Sequence, residues 1–210
     1  MFDARISSWL KTPLSRVGTS LVTRGWSADQ MTWLGAGFGA LAVIAVSLDA
    51  TLVGLMLFLL NRLCDGLDGA IARCGQPSDA GAFLDIVIDF WVYAGMVVGF
   101  AIRDPSDSLA ATILLFSFIG TASSFLAFAV FAKSQGLTNL RMQQKSMYYL
   151  EGLTEGFETT CVFAVMCLFP AYFSVMAYGF AVLCVLTALG RIYEGRRRLH
   201  GNSPVDPDTL

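Results

Sequence analysis

Long apolar runs constrain the fold of this chain more than any other feature. Each run is near or approaching the roughly 20 residues that a helix needs to cross the hydrocarbon core of a bilayer. The six runs cover residues 33–48, 50–64, 82–102, 109–132, 153–169 and 171–190. With 55% hydrophobic and only 14% charged residues, the chain is far more apolar than a soluble domain. We therefore predict an all-α integral membrane protein with six transmembrane helices.

The basic residues predict the orientation of these helices, because Lys and Arg are retained on the cytoplasmic side of a membrane. If the N-terminus is cytoplasmic, Arg103 alone among the 14 basic residues falls on the outer side. Both termini, and the turn between the second and third helices, then face the cytoplasm of a bacterial-type inner membrane. Since topology accounts for the basic residues, they indicate no nucleic-acid partner.

The N-terminal segment is predicted to be an amphipathic helix that lies in the membrane interface. Its apolar face consists of Phe2, Ile6, Trp9 and Leu10. An ordinary solvated helix is the alternative. The segment lacks the continuous apolar stretch and the cleavage site of a signal peptide. We divide the chain into this helix (1–26), a six-helix membrane domain (27–198) and a disordered cytoplasmic tail (199–210).

Four aspartates interrupt the apolar sequence of the second and third predicted helices: Asp65, Asp68, Asp85 and Asp89. One aspartate at mid-membrane depth costs about 2.5 to 3.5 kcal/mol, so four without compensation would cost roughly 10 kcal/mol. The members of each pair are three or four residues apart and share one face of a helix. A helix-breaking turn at 75–78 separates the two pairs, with Asp68 and Asp85 at similar distances from it. Antiparallel packing therefore predicts one box of four carboxylates.

A box of carboxylates without His or Cys suits a hard cation such as Mg²⁺, Mn²⁺ or Ca²⁺. Two divalent ions would neutralise all four charges, which Arg62 and Arg73 alone cannot do. The neighbouring residues suit a bound phosphate, because Gly69 and Ala72 leave room on the carboxylate face and Gly81 lies one turn before Asp85. Arg73 can neutralise a phosphoryl oxygen. The predicted chemistry is metal-assisted phosphoryl transfer.

The stretch from Asp65 to Asp89 resembles the signature of the CDP-alcohol phosphotransferase family, D-x2-D-G-x2-A-R-x7–8-G-x3-D-x3-D, at every fixed position. Members of that family are integral to membranes and transfer a phospho-alcohol group from a CDP-linked donor to a hydroxyl acceptor, with release of CMP. The resemblance implies that Asp65, Asp68 and Asp85, with help from Asp89, bind two Mg²⁺ or Mn²⁺ ions. It also implies that Asp89 is the general base.

The resemblance further implies a CDP-binding site next to these aspartates. Its residues would be Asp68, Gly69, Arg73, Gly81 and Thr32. Family members often carry a Pro-Asn-x-aliphatic-Thr segment that enters the first helix. Thr32 fits this pattern, whereas Ala28 and Asp29 depart from it.

The segment from Lys133 to Glu158 is expected to select the acceptor. Its basic residues can bind an anionic head group, or they can fix the topology and touch lipid head groups. Three glutamates at 151, 155 and 158 follow an i, i+4, i+7 pattern and share one face. Such a face favours acceptor hydroxyl or amine groups, salt bridges to nearby cations, or contact with the lipid interface. The candidate acceptor residues are Lys133, Lys145, Glu151, Glu155 and Arg191.

Together these features predict a phosphatidyltransferase of phospholipid biosynthesis, with CDP-diacylglycerol as donor and a small polar alcohol as acceptor. A CDP-linked polar alcohol with a lipid acceptor is the alternative within the family. An ion-coupled transporter also carries acids inside the membrane. However, the sequence has no repeated halves, and Arg73 beside the acids hinders cation passage. The four intact aspartates disfavour a catalytically silent relative that only binds lipid.

Two pairs of glycines indicate close helix packing. They are Gly35-x3-Gly39 in the first predicted helix and Gly95-x3-Gly99 in the third. Small residues at this spacing let helices approach closely, either in a homodimer or within one chain. The sequence leaves both arrangements open.

Overall fold

The computed structural model describes residues 14–75, 77–134 and 154–201, and all regular secondary structure in these ranges is helical. Seven helices are found there, together with two short 3₁₀ turns at Pro105–Asp107 and Pro170–Tyr172. The helices are α1 (14–23), α2 (Ala28–Ser47), α3 (Thr51–Cys74), α4 (Asp79–Arg103), α5 (Ser108–Ser134), α6 (Gly156–Leu168) and α7 (Phe173–Gly201). Each predicted apolar run coincides with one of the helices α2 to α7.

The helices have the length and composition of a membrane protein. Four segments are long and apolar enough to cross a bilayer: Ala28–Ser47, Asp79–Arg103, Pro105–Ala132 and Pro170–Leu199. Helix α6 is a shorter apolar helix of 13 residues, and α3 has 24 residues and carries the polar stretch with the first two aspartates. The all-helical membrane fold is therefore confirmed, and the count of six spans stays a prediction.

Large apolar side chains cover the outside of the helices. Trp33, Trp91 and Phe116 are 63%, 79% and 71% exposed. Soluble monomers rarely leave large contiguous apolar patches in water, whereas lipid acyl chains would cover these rings. The surface thus fits a bilayer around the helices.

The N-terminal segment is not one continuous helix to residue 26. Helix α1 ends at residue 23, a turn with Gly25 at φ +84° follows, and α2 begins at Ala28. The predicted apolar face at 2–10 and residues 202–210 of the predicted tail lie outside the described residues. The tail was predicted to begin at 199, but α7 continues to Gly201, so residues 199–201 are helical. Helix α1 packs on α3, since a Cβ at Gly18 would come within 3.0 Å of Ala70 Cβ. Its location in the membrane interface stays a prediction.

Local sequence sets the starts of α2 and α4. The Ser27 hydroxyl accepts a hydrogen bond from the Gln30 N–H at 3.2 Å, and the Gln30 side chain accepts one from the Ser27 N–H at 3.1 Å. This capping box satisfies two backbone donors that the helix leaves open. Ser78 caps α4 by accepting from the Gly81 N–H at 3.0 Å. The two helices that border the aspartates therefore have fixed first turns.

Both glycine pairs lie at contacts between helices of the same chain. Helix α2 packs against α3 and α4. A Cβ at Gly35 would come within 3.0 Å of Cys64 Cβ in α3, and one at Gly39 within 2.5 Å of Val92 Cγ2 in α4. The pair Gly95-x3-Gly99 of α4 faces Val43 of α2 in the same way. Packing within the chain explains both motifs, and a homodimer stays a prediction.

The remaining helices close an apolar core. Helix α5 packs on α7, and α6 contacts both α3 and α7. Fully buried rings fill the space between them, with Phe58 edge-on to Phe163 at 5.6 Å and Phe100 stacked on Phe173 at 4.5 Å between centroids. Such aromatic pairs add to the stability that apolar burial supplies. Helices α3 and α4 both pack on α2 and not closely on each other, so the predicted direct antiparallel packing is not what brings the aspartates of α3 and α4 together.

Candidate active site

Three of the four predicted aspartates form one cluster. Asp65 and Asp68 of α3 and Asp85 of α4 each offer a carboxylate oxygen, and these oxygens all lie within 4.8 Å of one another. Asp68 is buried, and the other two are half-buried. Oxygen ligands at this spacing fit a hard divalent cation. Without such a cation, three partly desolvated charges would repel one another.

Asp89 lies one turn further along α4 and has a different partner. Its Oδ1 accepts a hydrogen bond from Arg62 NH2 at 2.6 Å. Arg62 NH1 also lies 3.8 Å from Oδ2 of Asp65. The fourth member of the predicted box is therefore ion-paired with an arginine, outside the cluster of three.

Sequence reasoning missed this role of Arg62. In the sequence, Arg62 was interpreted as a marker of the cytoplasmic side. It was also counted as one of two arginines that are too few to neutralise four aspartates. The signal was the polar pair Asn61-Arg62 inside an apolar run, with Arg62 one helical turn before Asp65. A charged residue inside a span is by itself an indication of function.

A cavity of about 450 Å³ adjoins the cluster on the side where α2 and α4 begin. It is lined by every residue that the family resemblance assigns to CDP: Thr32, Asp68, Gly69, Arg73 and Gly81. Asp85 and Asp29 line it as well. The cavity thus joins the cluster of aspartates to the N-terminal ends of two helices, where backbone N–H groups favour anions.

Two contacts define the shape of this cavity. The Thr32 hydroxyl donates a 2.7 Å hydrogen bond to Oδ2 of Asp68, and both residues are buried. Thr32 therefore orients an aspartate of the cluster. A Cβ at Gly81 would lie 3.1 Å from the Ser78 hydroxyl and 3.2 Å from Oδ1 of Asp29, so glycine keeps this wall open.

A second cavity, of about 360 Å³, begins at Asp89 and lies among α4, α5, α6 and α7. Tyr93, Glu155 and Arg191 contribute to its lining, as do threonines 121, 154 and 159. Arg191 NH1 donates to the Thr121 carbonyl at 3.2 Å, and its guanidinium lies 5.6 Å from the centroid of the Phe125 ring. Two of the predicted acceptor residues, Glu155 and Arg191, therefore line one cavity with Asp89.

The other predicted acceptor residues lie outside this description. Lys145 and Glu151 are outside the described residues, as is the side chain of Lys133. Helix α6 begins at Gly156, and Glu155 at its N-cap has an extended backbone. The predicted helical spacing therefore does not hold through Glu155, because the helix starts after it. Glu158 in the first turn has one oxygen, Oε2, that is buried without a hydrogen-bond partner in the described part of the chain.

The fold and the site together define a helical integral membrane protein with a carboxylate cluster suited to phosphoryl transfer. The chain belongs to the CDP-alcohol phosphatidyltransferase family, whose sequence model matches residues 26–190. It is similar to the inner membrane protein YnjF of Escherichia coli, with 44% identity over 196 residues that cover 93% of this chain and 95% of that protein. The predicted family is confirmed, and the chain is an enzyme of the transferase class.

Two further relatives extend the comparison. The archaetidylinositol phosphate synthase of Pyrococcus horikoshii is 27% identical over 198 residues, which cover 93% of this chain and 97% of that protein. The crystal structure of Mycobacterium tuberculosis phosphatidylinositol phosphate synthase (PgsA1) with CDP-DAG bound matches with a TM-score of 0.67. That match has 21% identity and covers 87% of this chain and 92% of the other. The structural match supports the fold.

Proposed function

We propose that this protein transfers a phosphatidyl group from CDP-diacylglycerol to a small polar alcohol and releases CMP. The observation that carries the proposal is the position of the aspartates between two cavities. The cavity of about 450 Å³ contains Asp68 and Asp85, and the cavity of about 360 Å³ contains Asp89. A transferase needs one site for the donor and one for the acceptor on either side of the reacting phosphorus. The bound CDP-DAG in the similar mycobacterial structure supports this donor.

The cluster of Asp65, Asp68 and Asp85 would hold Mg²⁺ or Mn²⁺. The donor set fits, because three carboxylate oxygens lie within 4.8 Å and no nitrogen or sulfur ligand is part of the cluster. When bound, the metal would neutralise the diphosphate and stabilise the departing CMP. The predicted second ion would require Asp89 to leave Arg62, since the other three carboxylates already form one site.

The donor would lie along the first cavity with its acyl chains in the bilayer. Arg73 folds over Gly69, where a Cβ would come within 3.2 Å of Arg73 NH1. Arg73 is exposed and lines the cavity, so its guanidinium can bind phosphate oxygens there. The cytidine would occupy the space between the first turns of α2 and α4, beside Gly81.

In the reaction, the acceptor oxygen forms a bond to the phosphorus that carries the diacylglycerol. The bond from that phosphorus to the CMP oxygen breaks, and the electron pair leaves with CMP. Asp89 accepts the proton of the acceptor hydroxyl. Because a carboxylate is a weak base toward an alcohol, proton transfer would accompany the attack.

The acceptor would enter the second cavity from the cytoplasm, as the positive-inside pattern predicts. Its threonine hydroxyls, with Glu155 and Arg191, offer hydrogen-bond partners to a polyol. The names of two relatives contain inositol phosphate, which makes inositol phosphate one acceptor to test beside uncharged alcohols.

The experiment is to give the purified protein CDP-diacylglycerol, Mg²⁺ or Mn²⁺, and a panel of polar alcohols including a metabolite extract. CMP release and new phospholipids are measured together by mass spectrometry. We expect one CMP for each new phospholipid, and loss of both in Asp89→Asn. The control is Asp104→Asn, a half-buried aspartate just after the C-terminal end of α4 and about four turns along the helix from Asp89. CMP release at background with every alcohol would contradict the proposal and favour a transporter or a lipid-binding relative.

A further inference from the structure

A groove of about 460 Å³ lies between α5 and α7. It is formed by other faces of these helices than the proposed acceptor cavity, although Arg191 lines both. The groove lies toward the C-terminal ends of the two helices, at Ser134 and Gly201. The positive-inside pattern predicts that these ends face the cytoplasm. We therefore expect the groove to face the inner leaflet of the membrane.

The α5 wall of the groove is mostly apolar. It consists of Ser124, Ala127, Phe128 and Phe131, whose i, i+3, i+4, i+7 spacing places them on one face of the helix. Phe131 is 55% exposed, and Ala127 is exposed as well. Lipid tails are as apolar as such side chains, so in a bilayer acyl chains cover this wall.

The α7 wall repeats the spacing of the α5 wall and adds a charge. It consists of Ile192, Gly195, Arg196 and Leu199. Gly195 is buried at the floor of the groove, where a Cβ would lie 3.2 Å from Cδ2 of Phe128. Arg196 is exposed and lies one turn beyond Ile192 toward the end of the helix. The groove therefore combines apolar walls with an arginine at the predicted cytoplasmic end.

The charge of the groove is positive. Its lining includes the guanidinium groups of Arg191 and Arg196 and, in the described part of the chain, no acidic residue. Glu194, the acidic residue nearest to Arg196 in the sequence, accepts a hydrogen bond from Arg198 Nε at 2.7 Å. Guanidinium groups bind phosphate oxygens through several N–H donors. A soluble anion would match the arginines alone, whereas an anionic phospholipid matches the arginines and the apolar walls.

We propose that the groove between α5 and α7 binds one anionic phospholipid. Its phosphodiester would contact Arg196 and Arg191, and its acyl chains would lie along Phe128 and Phe131. This site is separate from the donor cavity, which lies among α2, α3 and α4. The bound lipid would lie next to the proposed acceptor cavity, because Arg191 lines both. The inference does not rest on the proposed function, since lipid binding is measured without turnover.

The experiment is native mass spectrometry of the detergent-solubilised full chain, titrated with phosphatidylglycerol or with phosphatidylcholine of the same acyl chains. We expect wild type to bind the anionic lipid about tenfold more tightly than the zwitterionic one. In Arg196→Gln this preference should be lost, because the hydrogen bonds of one guanidinium to the phosphodiester are removed. The matched control is Arg197→Gln, which removes the same charge from an exposed neighbour outside the groove and should keep the wild-type preference.

A second pair of variants tests the shape of the groove without a change of charge. Ala127→Phe places a ring inside the groove, whereas Ala129→Phe places the same ring on an exposed part of α5 that does not line it. We expect phosphatidylglycerol to bind about tenfold more weakly to Ala127→Phe and as tightly as to wild type in Ala129→Phe. If Arg196→Gln does not fold, this pair decides in its place.

Three results would overturn the proposal. Equal losses in Arg196→Gln and Arg197→Gln would show a general attraction to the basic end of α7. Wild-type binding of phosphatidylglycerol in Ala127→Phe would show that the lipid does not occupy the groove. Displacement of the lipid by an equal concentration of its deacylated head group would show a site for soluble anions. If wild type releases no CMP but the lipid results hold, the proposed function fails and the lipid site stands.

Discussion

Gly39 of α2 leaves no room for a side chain, and the change Gly39→Ala tests how the site is held together. The added Cβ would lie 2.5 Å from Val92 Cγ2 and 3.2 Å from Cγ1. Ordinary contacts between carbon atoms are about 3.5 to 4.0 Å. Val92 is buried and β-branched, which leaves its side chain few other rotamers. We therefore expect helices α2 and α4 to separate by about 1 Å. Because Val92 lies three residues after Asp89 on the same face of α4, this shift would carry the proposed base with it.

Both the stability and the activity of Gly39→Ala follow from this clash. Overpacking of a filled contact costs about 1 to 3 kcal/mol. A displacement of about 1 Å at a reacting group costs about 100-fold in rate. We therefore expect a lower Tm in detergent and CMP release about 100-fold below wild type. The assays are thermal unfolding of the purified protein and the initial rate of CMP release from CDP-diacylglycerol.

The chain offers a control on the same helix. A Cβ at Gly37 meets nothing within 4 Å, so Gly37→Ala has the same gain in helix propensity without the clash. The double variant Gly39→Ala/Val92→Ala removes both valine methyl groups and should recover a large part of the stability and the rate. If Gly39→Ala behaves like Gly37→Ala in both assays, the reasoning that this contact positions the site is refuted.

Two further changes test the donor cavity. In Gly81→Ala the added Cβ would lie 3.1 Å from the Ser78 hydroxyl and crowd the donor cavity. We expect steady-state rates to show a KM for CDP-diacylglycerol that is about tenfold higher, with kcat unchanged. A wild-type KM would contradict the proposed position of the donor. Thr32→Val removes the hydroxyl that binds Asp68, and a hydrogen bond to a charged group is worth about 1.5 to 3 kcal/mol. CMP release should therefore fall at least about tenfold in Thr32→Val. It should not fall in Thr32→Ser, which keeps the hydroxyl, or in the control Thr112→Val, where the lost hydroxyl binds a carbonyl of its own helix. Equal rates in all three variants would show that Thr32 does not orient Asp68.

Most of the local structure could be predicted from the sequence. The apolar runs located helices α2 to α7. As expected, α3 ends at Cys74 and α4 begins at Asp79 with Ser78 as its cap. These features depend on residues close together in the chain. That Asp68 and Asp85 come together could also be predicted, because they lie at similar distances from the break between their two helices. The predicted direct packing of these helices was wrong, since both pack on α2 instead.

The partners of individual side chains could not be predicted in this way. A count of charges in the sequence makes the four aspartates equivalent. In the structure Arg62 binds Asp89 and not the other three in this way, because contacts from α2, α3 and α4 fix the position of its guanidinium. Thr32 was assigned to the nucleotide, yet its hydroxyl meets Asp68, a residue 36 positions away. The spacing around Glu155 indicated a helical face, but the helix begins only at Gly156. Each difference arises from contacts between helices or from a helix boundary, which periodicity does not specify.

The most direct test of the central claim is the rate at which the purified protein releases CMP from CDP-diacylglycerol in the presence of an accepting alcohol. The rate is measured as Mg²⁺ or Mn²⁺ is added and then removed with a chelator. The proposed function predicts release that requires the metal, stops on chelation, and is lost in both Asp68→Asn and Asp89→Asn. Under the same conditions Asp68→Asn should bind Mn²⁺ more weakly than wild type does. CMP release that is absent in wild type, continues without metal, or survives Asp68→Asn would contradict the claim.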